Sequence, residues 1–263
     1  MIDGSAYLYA LAAISVAAAL VWVISVLRRD VGIVDSLWSL MILGSLGVYA
    51  GLAESTGPRT VLVMVLVAAW AVRLSLHITV RNHGEPEDRR YQQIRENNQP
   101  HFWLKSLFIV FLLQSFLAWV VSLSGVAAVA GQAPLGPLDY AGAALWLLGM
   151  FFEVVGDWQL ARFQRNRDSS GQVLDTGLWR YTRHPNYFGE AVIWWGIFLI
   201  ALSAGAWWAV VSPVVMTVLL LRVSGVALLE KDIGDRRPEY RDYIKRTNAF
   251  FPGPPKTASV KGG

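Results

Sequence analysis

Seven apolar windows leave this chain few ways to fold. They lie near residues 6–27, 33–53, 60–80, 104–124, 138–160, 187–204 and 206–229, each close to the roughly 20 residues an α-helix needs to cross the hydrocarbon core of a membrane. In lipid every backbone N–H and C=O must be satisfied within the spanning structure, so windows of this length predict helices. The expected fold is all-α, a polytopic membrane bundle of seven transmembrane helices. Composition agrees: 54% of the 263 residues are hydrophobic and 12 are tryptophan, too apolar for an ordinary soluble domain. The first window lacks a basic leading region, and no small-residue cleavage site precedes Arg28-Arg29, so it reads as a retained span rather than a signal peptide. Residues 1–253 are expected to form one membrane-embedded domain, with residues 254–263 as a disordered tail.

Orientation follows from the 23 lysines and arginines, because cytoplasmic loops carry the positive excess. With the N-terminus outside, Arg28 and Arg29, the 81–105 loop, the 161–186 loop and the 230–263 tail all face the cytoplasm. Only Arg59 then falls in an outside loop, while Arg73 and Arg222 fall inside spans. The isoelectric point near 9.4 points to anionic lipid or a phosphate ligand and not to nucleic acid, since the basic residues lie between apolar helices. A compact chain of this kind is expected in a bacterial inner membrane. No cysteine is present, which excludes disulfides and thiolate metal sites, and histidines 77, 83, 101 and 184 lack a metal-ligand spacing. No metal is expected.

Ionisable residues at membrane depth are costly unless they are paired or line a wet cavity, so each is a candidate for function. Asp35 lies near the start of the second span, as a helix cap or as a catalytic group. Arg73 and His77 share a face of the third span. Arg73 either snorkels, pairs with Asp35 or Glu153, or lines a cavity. Tyr91, in the polar loop that follows, is placed to cover a ligand, and Gln114 reads as an interhelical hydrogen bond. Glu153 and Asp157 share a face of the fifth span beside Gly156, with Arg162 and Arg165 just beyond. Arg222 sits inside the last span, two turns before Glu230. The Gly- and Pro-rich connection at 125–137 carries no evident chemistry.

The densest stretch is TGLWRYTRHPNYFGEAVIWW, Thr176 to Trp195. Arg180, Arg183 and His184 precede Pro185, a residue suited to a first helical turn, and Asn186 can satisfy backbone groups there. Free N–H groups, the helix dipole and arginine donors together favour an anion, with phosphate the natural guest. Glu190 lies one turn beyond Asn186 on the same face.

This segment with its following WWG, the upstream DWQLARF (Asp157 to Phe163) and the later PEYRDY (Pro238 to Tyr243) resemble the C-terminal signature of the steroid 5α-reductase superfamily. The likeness is strongest to its bacterial DUF1295-type branch. Sterol C-14 reductases and isoprenylcysteine methyltransferases share only a shorter RHPxY-like core. The resemblance implies an NADPH-dependent reductase of a carbon–carbon double bond in a lipophilic, steroid- or enone-like substrate taken from the bilayer. It places the cofactor half at about residues 150–250. Asp157, Arg165, Arg180, Arg183, His184, Asn186, Tyr187, Glu190, Arg222, Tyr240 and Tyr243 would hold the nucleotide. The role of Arg222 is implied by an arginine of the steroid reductases at the same distance before a proline matching Pro238. Those enzymes also carry a Gln-Glu pair on an early helix and a tyrosine on a following one, and neither is evident here. Asp35, or the Arg73 and His77 face, is therefore expected to supply the proton.

No GxGxxG follows a strand and no P-loop, GxSxG turn or HExxH helix occurs, so soluble nucleotide folds, lipases and zinc proteases are unsupported. A transporter is disfavoured because the polar groups crowd toward one membrane face and no inverted repeat is evident. The alternatives are an S-adenosylmethionine-dependent methyltransferase of the isoprenylcysteine or phospholipid type, and a non-catalytic lipid-binding member of the fold.

Overall fold

Asp3 sets the start of the first helix: its carboxylate accepts from the N–H groups of Ser5 at 2.8 Å and Ala6 at 3.2 Å, satisfying donors that a helix start leaves open. That helix, α1, spans Gly4–Arg28 and ends at Arg29, whose left-handed backbone lets its N–H return to Ser25 and Val26 carbonyls. The computed structural model describes residues 2–53, 56–165, 172–223, 225–230, 233 and 237–256. Helices α2 (Ile33–Leu52) and α3 (Pro58–Asn82) follow, the latter with Pro58 in its first turn. The short α4 (Arg89–Asn97) is capped by Asp88. Helix α5 (Phe102–Val129) contains a π-helical stretch at Leu107–Leu112. Then come α6 (Pro137–Arg165), a 3-10 turn at Gly177–Arg180, α7 (Pro185–Ser203), α8 (Trp207–Val223), α9 (Val226–Glu230) and α10 (Tyr240–Arg246).

The all-helical expectation holds, with no strand among the described residues. Six helices, α1, α2, α3, α5, α6 and α7, are long and apolar enough to cross a membrane. Leu8, Leu20 and Leu27 on α1 are 59%, 64% and 80% exposed, surface that water would penalise and lipid would not. The protein is an integral membrane protein. The expected seventh window behaves differently. Helix α8 is shorter than the six, ends in a π-helical turn at Leu219–Val223, and is followed by the separate α9.

Two compact units divide the chain, one of residues 1–141 and 197–212, the other of residues 142–196 and 213–263. In unit 1, α2 packs against α1, α3 and α5, burying Ile42, Leu46, Val67, Trp70 and Phe111. Serines join these helices: Ser45 bonds Ser122 at 2.8 Å, Ser39 donates to the Ala71 carbonyl, and Ser75 to that of Ser36. Such bonds hold helices together where lipid removes the hydrophobic drive. Arg59, expected in an outside loop, is instead buried with Asp139, at 1% and 0% exposure. The pair is bidentate, at 2.7 and 3.0 Å, and Asp139 also accepts from Ser203 and from the Gly136 N–H. The 125–137 connection read as empty of chemistry contributes to it, since Arg59 also donates to the Pro134 carbonyl at 3.1 Å.

Unit 2 is built on a glycine seam. A Cβ added at Gly189 would lie 2.5 Å from the Glu153 nitrogen, one at Gly149 2.6 Å from the Gly189 carbonyl, and one at Gly196 2.7 Å from the Gly142 carbonyl. Gly142 and Gly149 on α6 therefore meet Gly196 and Gly189 on α7, while Gly156, a heptad further on, faces the start of α7 at Pro185 and Asn186, and the backbones approach as only small residues allow. The segment from Thr247 onward packs back on unit 2. Thr182 donates to the Phe250 carbonyl, the Gly253 N–H to Tyr181, and the Lys256 N–H to Arg246. Of the expected disordered tail, residues 254–256 are therefore placed, and residues 257–263 lie outside the described residues.

Candidate functional site

The seam brings two signature residues together. Where Gly156 leaves space, a Cβ would stand 3.1 Å from the Asn186 nitrogen, and the start of α7 settles against the middle of α6. Asn186 then donates from Nδ2 to Asp157 Oδ1 at 3.0 Å. It does not serve the backbone of its own helix, as the sequence suggested. Asp157 is 6% exposed, and Glu153 and Glu190, one turn along their helices, are 2% and 8% exposed. The Asn186 Oδ1 atom is buried without a hydrogen-bond partner among the described residues. A buried acceptor in that condition is costly, and it suits an incoming N–H or O–H.

The signature loop is held by its own residues. Gly177 takes a left-handed φ of 60°, so the chain can turn where a Cβ would strike the Gln159 side chain at 2.3 Å. Gln159 in return accepts the Leu178 N–H at 3.0 Å, and Trp179 Nε1 donates to the Gly156 carbonyl at 3.1 Å. The loop is thereby fastened to α6.

Arg183 and His184 are brought together on Glu230. Arg183 makes a two-pronged pair with the Glu230 carboxylate at 2.7 and 2.8 Å, and His184 Nε2 lies 2.9 Å from Glu230 Oε1. Arg183 also donates to the carbonyls of Ile244 and Thr247. Arg222 lies two turns before Glu230 in the sequence. The fold gives that carboxylate to Arg183 instead. Burial alone would raise the Glu230 carboxyl, but Arg183 and His184 outweigh it and hold it down to about 2. Burial alone would likewise lower Arg183, and the Glu230 carboxylate raises it. With its guanidinium so engaged, Arg183 serves chiefly to tie the loop to α9 and α10.

The remaining candidates in unit 2 divide into two groups. The Tyr187 ring stacks on His184 with centroids 5.6 Å apart. Tyr240 and Tyr243 are buried edge to face at 5.2 Å, and the Tyr243 hydroxyl donates to the Trp179 carbonyl. These tyrosines support the loop. Arg165, Arg180 and Arg222 are exposed, and no hydrogen bond from them reaches the Asp157 and Asn186 cluster among the described residues.

Unit 1 holds the expected proton donors. Asp35, in the first turn of α2, accepts from the Tyr91 hydroxyl and from Arg90 Nη2 at 3.0 Å, and Gln114 Nε2 donates to Tyr91 Oη at 3.1 Å. Gln114 thus forms a hydrogen bond as expected, though its partner belongs to α4. Burial raises the Tyr91 phenol well above its ordinary value, and the Asp35 carboxylate adds to the shift. Arg73 and His77 lie half-buried on α3. Sequence reading missed the chain from Gln114 through Tyr91 to Asp35. Its one local signal was Asp88, whose capping of α4 fixes where Tyr91 points. Glu230 as the partner of Arg183 had no signal, because 47 residues separate them.

A family model described as a protein of unknown function (DUF1295) matches residues 21–247. An uncharacterised protein of Schizosaccharomyces pombe is 26% identical over 88% of this chain and 75% of its own length. The 3-oxo-5-alpha-steroid 4-dehydrogenase 1 of Bos taurus is 29% identical over 40% of this chain, and that of Rattus norvegicus 32% identical over 38%. The matches span 41% and 39% of those two dehydrogenases. No solved structure matches the chain. With the family model covering most of the sequence and the steroid dehydrogenases matching part of it, the chain belongs to the DUF1295 family, within the steroid 5α-reductase superfamily.

Proposed function

We propose that the chain is an NADPH-dependent membrane oxidoreductase that reduces a carbon–carbon double bond in a lipophilic, enone-like substrate drawn from the bilayer. Its partial similarity to the 3-oxo-5-alpha-steroid 4-dehydrogenases supports the reaction class. The observation that carries the reading is the buried, partnerless Oδ1 of Asn186 beside Asp157. This acceptor cluster fits the amide and hydroxyl donors of a nicotinamide riboside, and the exposed cations of Arg165, Arg180 and Arg222 are available to the phosphates. When bound, NADPH would supply the hydride. Asn186 and Asp157 would orient the carboxamide or ribose, and the apolar helices would exclude water from the transfer.

The proposed topology is seven spans, α8 being the seventh, with the N-terminus outside and the basic loops in the cytoplasm of a bacterial inner membrane. At 1.5 Å per residue, α8 reaches about 25 Å, short of the ~30 Å hydrocarbon core, so tilt or local thinning would accommodate it.

The test is the thermal shift given by NADPH, NADH and S-adenosylmethionine to the detergent-purified protein, since a ligand bound by the folded state alone raises the melting temperature. NADPH is expected to stabilise the wild type and to lose that effect in Asn186→Leu. A response to S-adenosylmethionine alone would overturn the reading.

A further inference from the structure

A cavity of about 470 Å3 lies in unit 1, lined by Arg29, Arg95, Gln99, His101, Trp103 and Ser106 among others. It is within the size range of ordinary small-molecule sites, roughly 300–1,000 Å3. Its walls are built by specific bonds. Glu87 holds Arg95 at 2.7 and 3.0 Å and accepts the Val31 N–H at 2.8 Å. Arg95 in turn donates to the Arg29 carbonyl at 3.2 Å and lies over the Phe102 ring at 4.7 Å. On the far wall, Trp22 Nε1 donates to the Trp103 carbonyl at 2.8 Å and to Ser106 Oγ at 3.2 Å.

The charge of Arg95 is matched by Glu87, and Asp30 is turned to the Gly32 N–H at 2.8 Å. Arg29 and His101 are exposed, and both sit at left-handed backbone positions with φ of 55° and 64° that end α1 and precede α5. Gln99 adds an amide able to donate or accept. Beside this polar end the surface is apolar: Leu27 is 80% exposed, Phe108 59% and Trp103 51%. A guanidinium and an imidazole at one end, tryptophan at the boundary and bare apolar surface beyond are the features of a lipid site at the membrane interface.

We infer that this cavity binds the headgroup of an anionic glycerophospholipid, its phosphate held by Arg29 and His101 and its acyl chains lying along α1 and α5. The proposal is independent of the reductase reading, because none of these residues belongs to unit 2.

Native mass spectrometry of the full chain in detergent tests it. Phosphatidylglycerol and phosphatidylcholine with the same acyl chains are compared, with excess inorganic phosphate as a further arm. The double variant Arg29→Asn/His101→Asn removes the guanidinium and the imidazole, and asparagine tolerates the left-handed backbone. The expected result is a roughly tenfold preference for phosphatidylglycerol, abolished in the double variant, kept in Arg81→Gln and unaffected by phosphate. If the double variant fails to fold, His101→Asn alone is expected to lose part of the preference. Equal binding of the two lipids, or retention of the preference without these two side chains, would overturn the proposal. So would displacement of the lipid by inorganic phosphate, which would make the cavity a free-anion site.

Discussion

Each unit of the protein contains a well-ordered arginine–carboxylate pair, and the two are built differently. In unit 1, Arg59 and Asp139 are sealed at 1% and 0% exposure, with bonds to backbone and to Ser203 completing the set. In unit 2, Arg183 and Glu230 are 8% and 16% exposed, share the carboxylate with His184, and belong to a unit that also keeps an acceptor without a partner on Asn186. A sealed pair serves the fold, because removing either member strands a charge where water cannot reach it. A polar cluster with a spare acceptor has capacity left for a ligand. Both arginine pairs hold the fold, and it is the partnerless acceptor of Asn186, rather than burial, that marks the polarity of unit 2 as open to a ligand.

The sharpest way to break this contrast is Arg59→Ala, which strands Asp139 and is expected to cost about 3–5 kcal/mol. Tryptophan-monitored thermal unfolding in detergent should show a large loss of stability, and an unchanged melt would mean that the pair is not structural. Gly189→Ala comes next. Its Cβ would press on the Glu153 backbone at 2.5 Å, and overpacking of that kind costs about 1–3 kcal/mol. The same melt measures it, and the variant should also lose NADPH stabilisation because the seam positions Asn186.

A third prediction concerns pH. Glu230 falls from 4.5 to about 2 on folding. Its contribution to stability is therefore complete above 4.5 and lost as the pH drops through about 2. A Glu230→Gln variant should show a flatter acid dependence of stability in that window, and a dependence as steep as that of the wild type would refute the pairing. Asn186→Leu removes the acceptor without a partner but also the Nδ2 donor to the buried Asp157 carboxylate, and is expected to cost about 1–3 kcal/mol. Its melt should fall less than that of Arg59→Ala while its response to NADPH disappears. A large loss of stability instead would place Asn186 with Arg59 as a structural group.

Much of the fold could be read locally. Pro185 opens α7, Asp3 caps α1, and six apolar windows became helices of spanning length. The window at 206–229 was less legible, because hydropathy does not report the π-helical turn at Leu219–Val223 that ends α8. The polar sites were read unevenly. Asp157 and Asn186 were both singled out, but their contact depends on how closely α6 and α7 approach. Gly149 and Gly189 allow that approach, and Gly189 was not singled out for it.

What the sequence determined by itself is the set of long apolar helices and their need for lipid, since apolar length acts within each segment. Tertiary structure alone decided which polar groups meet. Arg59 finds Asp139 across 80 residues, Tyr91 finds Asp35 across 56, and Arg183 finds Glu230 across 47. Many carboxylates could serve each cation on the strength of charge alone, and the pairing is fixed only when helix packing leaves one of them within 3 Å.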